Sequence, residues 1–288
     1  MKAYARKHSV DLDADFDYRH SIVLNGSVRM RQGNRVPDLF FWYGELHRQA
    51  NSYDLSVLMQ LAEACKVVRA PQVYERSLDK FSALSRLKAA GIPCADHVLF
   101  HERCLPMVEA TMRGWEGVVL KPRRRGFGKG VTLITDYAQL RDIVQYIGDR
   151  PGASSEGIYL ERFYPNDIRR WASVTVIRGE VMYGYRKRKS SFSRMGVRAM
   201  KVFDESETGG NAELCKLTET QEHIALAAAR SLDMSIVGFD MIHTDSGPVI
   251  IDVNTFPGFY EDLFRKVGRD PVEEFSSVII EEIEHLYD

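Results

Sequence analysis

Two carboxylates and an amide are expected to meet on one face of a hairpin in the run IVGFDMIHTDSGPVIIDVN (236–254). A turn centred near Ser246 places Asp240 opposite Asp252. Asn254 shares their face, because side chains alternate along a strand. Like charges among apolar neighbours repel unless a cation lies between them, and oxygen ligands without His or Cys suit Mg²⁺ or Mn²⁺. The pattern therefore predicts a metal site completed by nucleotide phosphates; solvated strand residues are the alternative.

A glycine-rich turn joins two β-prone runs in VVLKPRRRGFGKGVTLI (118–134). Its glycines would let backbone N–H groups approach a phosphate, and its lysines add positive charge: Gly126, Gly128, Gly130, Lys121 and Lys129. The spacing is not that of a P-loop, and Val131 stands where Ser or Thr would ligate magnesium. No helix follows the turn, as it would in a dinucleotide-binding fingerprint. A flexible basic hairpin tip is the alternative interpretation.

The elements that would hold these groups are a mixture of helices and hairpins. Asn25-Gly26 and Arg178-Gly179 mark hairpin turns, and apolar strands are predicted at 37–44 and 66–70. Amphipathic periodicity predicts helices at 52–65, 76–92, 137–148, 218–234 and 270–287. Hairpins dominate the second half of the chain, which favours antiparallel sheets there. The length of 288 residues suits two or three packed lobes.

The net charge and the hydropathy of the chain limit the classes of partner that the protein is expected to bind. The net charge of −1 provides no general attraction to nucleic acid or to an anionic membrane. The first twenty residues contain no apolar signal-peptide core, and no apolar run approaches the length that spans a bilayer. These features predict a cytoplasmic protein that binds neither nucleic acid nor membrane.

Five motifs, in this order, resemble the ATP-grasp superfamily and especially the ligases related to the ribosomal-protein glutamate ligases. They are DKFSALSRLKAAGIPCADHVLF (79–100), VVLKP…GFGKGV (118–131), YLERF (159–163), DIRRWASVTVIRGEVM (167–182) and GFDMI…VIIDVNTFPGF (238–259). The resemblance covers about residues 37–265. It implies an α+β ATP-grasp fold, with two α+β subdomains that grip ATP beside a small N-terminal lobe. The implied boundaries are 1–75 for the N-terminal lobe, 76–158 for the small subdomain and 159–288 for the C-terminal subdomain.

The resemblance also implies a nucleotide site. Lys80 and Lys121 would contact the phosphates. The loop that closes over them would be Gly126, Phe127, Gly128, Lys129 and Gly130. Asp167 would reach the ribose, and the adenine pocket would be lined by Glu161 with the backbone of Arg162 and Phe163. The magnesium positions of the family match Asp240, Asp252 and Asn254, although the family more often has Glu at the second of these.

Arginines would cancel negative charge at the reacting centre. By resemblance, Arg169 and Arg186 would bind the transferred phosphoryl group or the acceptor carboxylate; a solvated run of charges is the alternative. Arg194 lies in a segment (190–213) that departs from the ligase pattern and would be the remaining anion-binding group. A register slip of one residue would transfer the role of Arg186 to Lys187. The triplet 123–125 either meets an anionic substrate or forms a solvated loop.

The implied reaction is an ATP- and Mg²⁺-dependent ligation. ATP would phosphorylate a small-molecule or peptide carboxylate, and an amino acid or amine would attack the acylphosphate, so that positioning and charge cancellation carry the chemistry. One alternative is a kinase of a polyol phosphate, since IIDVNTFPGF (250–259) is also similar to the terminal motif of ATP-grasp inositol phosphate kinases. The other alternative is a binding protein that keeps the nucleotide pocket but catalyses no reaction. The apolar face of the closing helix (270–287) is also compatible with a homo-oligomer.

Overall fold

Within the predicted N-terminal lobe (1–75), a hairpin forms at the turn that Asn25-Gly26 predicts. The computed structural model describes residues 6–13, 17–30, 36–44, 52–124, 126, 130–149, 156–166, 170–187 and 212–287. Strand β1 (Ser21–Leu24) pairs antiparallel with β2 (Ser27–Met30). Asn25 and Gly26 have φ angles of +51° and +77°, the two left-handed conformations of a type I′ turn.

Two parallel strands and a helix complete the described part of this lobe. Strand β3 (Leu39–Phe41) pairs with β4 (Lys66–Val68), and the connection between them includes helix α1 (Tyr53–Ala62). The side chain of Ser52 caps α1 by accepting a hydrogen bond from the backbone N–H of Leu55. A buried apolar cluster holds these elements together and includes Phe40, Trp42, Leu58, Leu61 and Tyr74.

The single helix predicted at 76–92 is wrong, because the structure has two helices there. Helix α2 (Pro71–Leu78) ends before Asp79, whose backbone is extended with φ −84° and ψ 111°. The Asp79 side chain then accepts a hydrogen bond of 3.1 Å from the N–H of Ser82 and caps helix α3 (Lys80–Ala89). An aspartate that bonds its own neighbouring backbone favours a helix start over a helix interior. Lys80 therefore occupies the first position of α3.

The middle of the chain forms a four-stranded antiparallel sheet. Its strands are β5 (His97–Phe100), β6 (Val118–Leu120), β7 (Thr132–Ile134) and β8 (Ile158–Arg162), in the spatial order β5-β8-β6-β7. Helices α4 (Leu105–Thr111) and α5 (Tyr137–Gly148) pack on this sheet around a common apolar core. Because β8 pairs with β5 and β6, this sheet extends across the predicted boundary between residues 158 and 159.

A five-stranded antiparallel sheet occupies the second half, as predicted. Its strands are β9 (Ala172–Ile177), β10 (Glu180–Lys187), β11 (Ala212–Leu214), β12 (Ile236–Thr244) and β13 (Gly247–Asn254), in the spatial order β11-β10-β9-β12-β13. Helices α3 and α6 (Glu219–Leu232) pack on one face; α7 (Glu261–Lys266) and α8 (Pro271–Tyr287) pack on the other. Both faces are thus covered, and polar side chains between the layers are exceptional. No helix in the described ranges is long and apolar enough to cross a membrane.

Candidate functional site

A β-bulge brings the two carboxylates into register. The hairpin of β12 and β13 closes with Thr244 opposite Gly247. A regular ladder from that pair would set Asp240 opposite Ile251. Instead the register shifts by one residue, which leaves Ile251 as the extra residue and pairs Asp240 with Asp252. The predicted opposition of the carboxylates is confirmed, and the bulge rather than the position of the turn produces it.

Each carboxylate already has a donor. The Ser173 hydroxyl, on the neighbouring strand β9, donates a hydrogen bond of 2.5 Å to Asp240 Oδ1. Asp252 Oδ1 accepts a hydrogen bond from the ammonium group of Lys80 and another, at 3.0 Å, from the backbone N–H of Val253. The Asp252 side chain is 27% exposed and that of Lys80 11%, so their ion pair is largely shielded from water.

Lys121 lies against the bulge and neutralises a buried carboxylate. Its ammonium group contacts Glu161 Oε2 at 2.5 Å and the carbonyl oxygen of the bulged Ile251 at 3.0 Å. The Tyr159 hydroxyl donates to the other oxygen of Glu161 at 2.9 Å. Burial, followed by the Glu161 charge, raises the pKa of Tyr159, so this hydroxyl keeps its proton and stays a donor. The two lysines therefore reach adjacent residues of β13, Ile251 and Asp252.

The donor set fits a hard divalent cation that also binds phosphate. Within the described ranges no group of three or more His, Cys, Asp or Glu side chains is placed to hold a metal. Asp240 and Asp252 offer two carboxylates, and Asn254, directly opposite Gly238, follows on the same face. A magnesium ion commonly takes one or two carboxylates and completes its shell with substrate phosphates and water. That Asp252 is paired with a lysine shows that this position already accommodates positive charge.

Gly238 provides the space in which the Asn254 segment packs. A Cβ atom at residue 238 would lie 3.0 Å from Pro257 Cβ and 3.3 Å from Asn254 Cβ. We expect Gly238→Ala to lower the free energy of unfolding by about 1–3 kcal/mol through overpacking and to weaken metal binding by displacing Asn254. Urea unfolding and Mn²⁺ titration check this result. Gly44→Ala is the control, because a Cβ there meets nothing within 4 Å; equal effects of both substitutions would contradict the assignment.

The base of the glycine-rich loop is partly described. Gly130 has a φ of +79°, and a Cβ there would lie 2.8 Å from Pro122 Cγ, so glycine is required where the loop returns to its start. Arg123 contacts Asp79, the cap of α3, at 2.6 Å, and its carbonyl accepts the N–H of Lys80 at 3.0 Å. Arg123 therefore fastens the loop base to α3. Phe127, Gly128 and Lys129 lie outside the described residues.

In the strand that was predicted to line the adenine pocket, the Glu161 side chain contacts a lysine. Glu161, 2% exposed, faces Lys121 within the protein and serves as that lysine's counter-charge. The backbone N–H groups of Arg162 and Phe163 donate to the carbonyls of Asp96 and Gly117 at 2.8 and 2.9 Å. These two amide hydrogens are therefore engaged within the protein. Asp167, predicted to reach the ribose, lies outside the described residues.

The placement of Arg186 corrects its predicted role. One row of directly paired residues crosses the sheet on the carboxylate face: Tyr185, Ser173, Asp240 and Asp252. Arg186 occupies the next position of β10 and so lies on the opposite face, next to the thiol of Cys215. The register position on the carboxylate face, two residues after Tyr185, belongs to Lys187. The other predicted arginines lie outside the described residues: Arg169 and Arg194.

The sequence analysis did not identify three residues that contact the groups of this site or the segment that follows it. Ser173 reaches Asp240 through the pairing of β9 with β12, which joins residues far apart in the chain. Tyr159 alternates with Glu161 along β8, and that spacing alone could have indicated a shared face. Arg69, buried at the end of β4, contacts the carbonyl of Thr255, and no motif signals this contact.

Comparison with known proteins identifies similar chains. The family model described as the RimK-like ATP-grasp domain matches residues 77–274. Human N-acetylaspartylglutamate synthase A is 31% identical over 212 residues, which are 72% of this chain and 50% of that protein. Beta-citrylglutamate synthase B of Danio rerio is 28% identical over 212 residues, 72% of this chain and 49% of that protein. The chain thus spans about half the length of these curated relatives.

The solved structures agree on the architecture. D-alanyl-alanine synthetase A from Vibrio cholerae superposes with a TM-score of 0.65 and covers 91% of this chain and 82% of its own. The sequence identity is 15%, so the likeness concerns the fold alone. It confirms the predicted α+β ATP-grasp fold.

Proposed function

Because the chain belongs to the RimK-like ATP-grasp family, we propose that it is an ATP- and Mg²⁺-dependent ligase. It would phosphorylate a carboxylate, join the resulting acylphosphate to an amine and release ADP and phosphate. The observation that carries the proposal is the convergence of two lysines and three carboxylates at the bulge of β13. Such a cluster can exchange its Lys80–Asp252 ion pair for the phosphates and the cation of a bound nucleotide.

The exchange follows from the charges present. Lys80 now contacts Asp252, and a triphosphate would offer its ammonium group a stronger anionic partner. Lys121 would contact a phosphate while it keeps the buried Glu161 as its partner. Asp252 would then be released to ligate Mg²⁺ together with Asp240 and Asn254. Bound magnesium would neutralise phosphate charge and orient the transferred phosphoryl group. Glu161 would keep its hydrogen bond from Tyr159 and hold Lys121 in place.

For the substrates we propose a small carboxylate and an amino acid. The two curated relatives are named as synthases of N-acetylaspartylglutamate and beta-citrylglutamate. Glutamate is therefore the first amine to test, against small acids that carry two or more carboxylates. The inferred site lies within residues 77–274, which match the RimK-like ATP-grasp domain, and this supports a reaction type shared with that family.

A product assay tests the proposed reaction. The protein is incubated with ATP, Mg²⁺, glutamate and a pool of carboxylic acids, and ADP, free phosphate and product masses are measured. An amide formed in step with ADP and phosphate is the expected result. A product heavier by one phosphoryl group without free phosphate would instead establish a kinase, and intact ATP with every substrate would contradict both. Asp240→Asn is the matched inactive control.

Lys80 should affect metal and nucleotide binding in opposite directions. Removing its ammonium group in Lys80→Met frees Asp252 for a cation, so Mn²⁺ binding without nucleotide should tighten by about 3- to 10-fold, while ATP binding should weaken by about 10-fold or more. Electron paramagnetic resonance measures free Mn²⁺, and calorimetry measures nucleotide affinity. Lys88→Met is the control, since that lysine of α3 pairs with the exposed Asp96 instead. A parallel loss of both affinities would contradict the exchange.

A further inference from the structure

Arg69 is a buried cation without a carboxylate partner among the described residues. It is 9% exposed, and its guanidinium carbon lies 4.8 Å from the ring centroid of Trp42, 5.0 Å from that of Tyr43 and 5.6 Å from that of Tyr74. Burial lowers the pKa of Arg69 to about 10, so it remains charged at neutral pH. Two of its nitrogen atoms, Nε and Nη1, have no hydrogen-bond partner among the residues that the structure describes. An apolar side chain would fill such an aromatic enclosure at a lower desolvation cost, so a purely packing role does not account for the charge.

The third nitrogen of the guanidinium group reaches the segment that follows the inferred metal ligand. Arg69 Nη2 donates to the carbonyl oxygen of Thr255, the residue directly after Asn254. The acceptor directly follows β13 and the donor directly follows β4, 186 residues earlier. This hydrogen bond therefore connects the N-terminal lobe to the metal side of β13.

The backbone of Arg69 is held in an uncommon conformation. Its φ is +66°, in the left-handed region that residues with a side chain rarely adopt. The indole N–H of Trp42 donates to the Arg69 carbonyl at 2.9 Å and supports that conformation. Backbone strain of this kind persists where the surroundings enforce it, often next to functional sites.

Neighbouring carbonyls of the same segment are held in the same way. The Tyr43 hydroxyl donates to the carbonyl of Pro257 at 2.8 Å, and the Tyr183 hydroxyl donates to that of Gly258 at 3.3 Å. The Tyr43 ring also lies 4.3 Å from the ring of Phe256. Side chains from the N-terminal lobe thus contact residues 255–257, immediately beyond Asn254.

We propose that Arg69 is a positioning residue that fixes the Asn254 segment and thereby makes the affinity of the metal site depend on the N-terminal lobe. This role rests on the proposed function only in that Asn254 is taken as a metal ligand. The guanidinium group acts through the Thr255 carbonyl and does not itself contact the metal or the substrates. Three aromatic rings surround the guanidinium group that donates to that carbonyl.

Mn²⁺ binding tests this role without any turnover. Free Mn²⁺ is measured by electron paramagnetic resonance at a saturating concentration of a non-hydrolysable ATP analogue, and analogue affinity is measured separately in EDTA. Arg69→Met, which keeps the length and removes the donors, should weaken Mn²⁺ binding by about 10- to 100-fold, the range for residues that orient metal ligands, and leave metal-free analogue affinity within about 2-fold. Arg69→Lys, which keeps the charge without the planar fork, should recover only part of the loss.

The controls separate positioning from general destabilisation. Arg178→Met removes an arginine that pairs with Glu281 on the surface, and it should change neither affinity. Arg69→Lys provides the measurement if Arg69→Met fails to fold. Unchanged Mn²⁺ affinity in a folded Arg69 variant would overturn the role, and so would an equal loss of metal-free analogue binding. Absence of Mn²⁺ binding by the unaltered protein would overturn the metal site itself, whereas failure of the product assay alone would leave the positioning role intact.

Discussion

Asp252→Asn should lower ligase turnover by about 10³-fold while the fold remains intact. The substitution keeps the size of the side chain but removes the charge that would hold Mg²⁺ and that now pairs with Lys80. Loss of a metal-held charge at the transferred phosphoryl group corresponds to several kcal/mol of transition-state stabilisation, or about 10³-fold in rate. ADP release at saturating ATP and varied Mg²⁺ measures the effect, and a higher Mg²⁺ requirement should accompany the lower rate.

The same hairpin provides the control for this prediction. Asp245 is exposed at the turn between β12 and β13, so Asp245→Asn removes one negative charge from the hairpin but none from the site. Its turnover and Mg²⁺ dependence should equal those of the unaltered protein. Full activity of Asp252→Asn at the normal Mg²⁺ concentration would remove Asp252 from the metal site.

Lys121→Met should damage both stability and nucleotide binding, for separable reasons. It would leave the Glu161 carboxylate, 2% exposed, without its counter-charge, and an uncompensated buried charge costs about 3–5 kcal/mol of folding free energy. It would also remove a charge-assisted contact to phosphate, which is equivalent to about 10- to 100-fold in nucleotide affinity. Urea unfolding and calorimetric titration with an ATP analogue measure the two effects.

A double substitution separates the two roles of Lys121. Lys121→Met with Glu161→Gln removes both charges of the pair and keeps a side chain that can accept the Tyr159 hydroxyl. Stability should largely return, because no buried charge remains unpaired, but nucleotide affinity should stay low. Recovery of nucleotide affinity in the double variant would show that Lys121 acts only on folding and does not bind phosphate.

Local signals in the sequence account for the elements that carry the site. Asn25-Gly26 predicted a hairpin because few residue pairs adopt two consecutive left-handed conformations, and the observed φ angles agree. The alternation of apolar residues predicted β12 and β13 and placed Asp240, Asp252 and Asn254 on one face. Such predictions succeed because they depend on neighbours a few residues apart. The order of the motifs likewise identified the family.

The predictions that differ from the structure rested on short-range sequence signals that are compatible with two local structures. The run 76–92 has helical periodicity throughout, but Asp79 can interrupt a helix or lie within one, and its cap on Ser82 shows which occurs. The basic run around Arg186 offered two faces, and the pairing of β10 with β9 assigned that arginine to the face without carboxylates. Strand register depends on a partner strand, so one segment cannot specify it.

The remaining features of the site depend on packing between segments that are distant in the sequence. The bulge at Ile251 aligns Asp252 with Asp240 and offers a carbonyl to Lys121, although nothing in residues 247–254 marks an extra residue. Glu161 becomes the partner of Lys121 because separate segments fold against each other, and Arg69 reaches Thr255 across 186 positions of sequence. The sequence therefore specified that Asp240, Asp252 and Asn254 share one face of a hairpin. Their mutual distances and their counter-charges arise from contacts between distant segments, where desolvation makes each unpaired charge costly and so selects its partner.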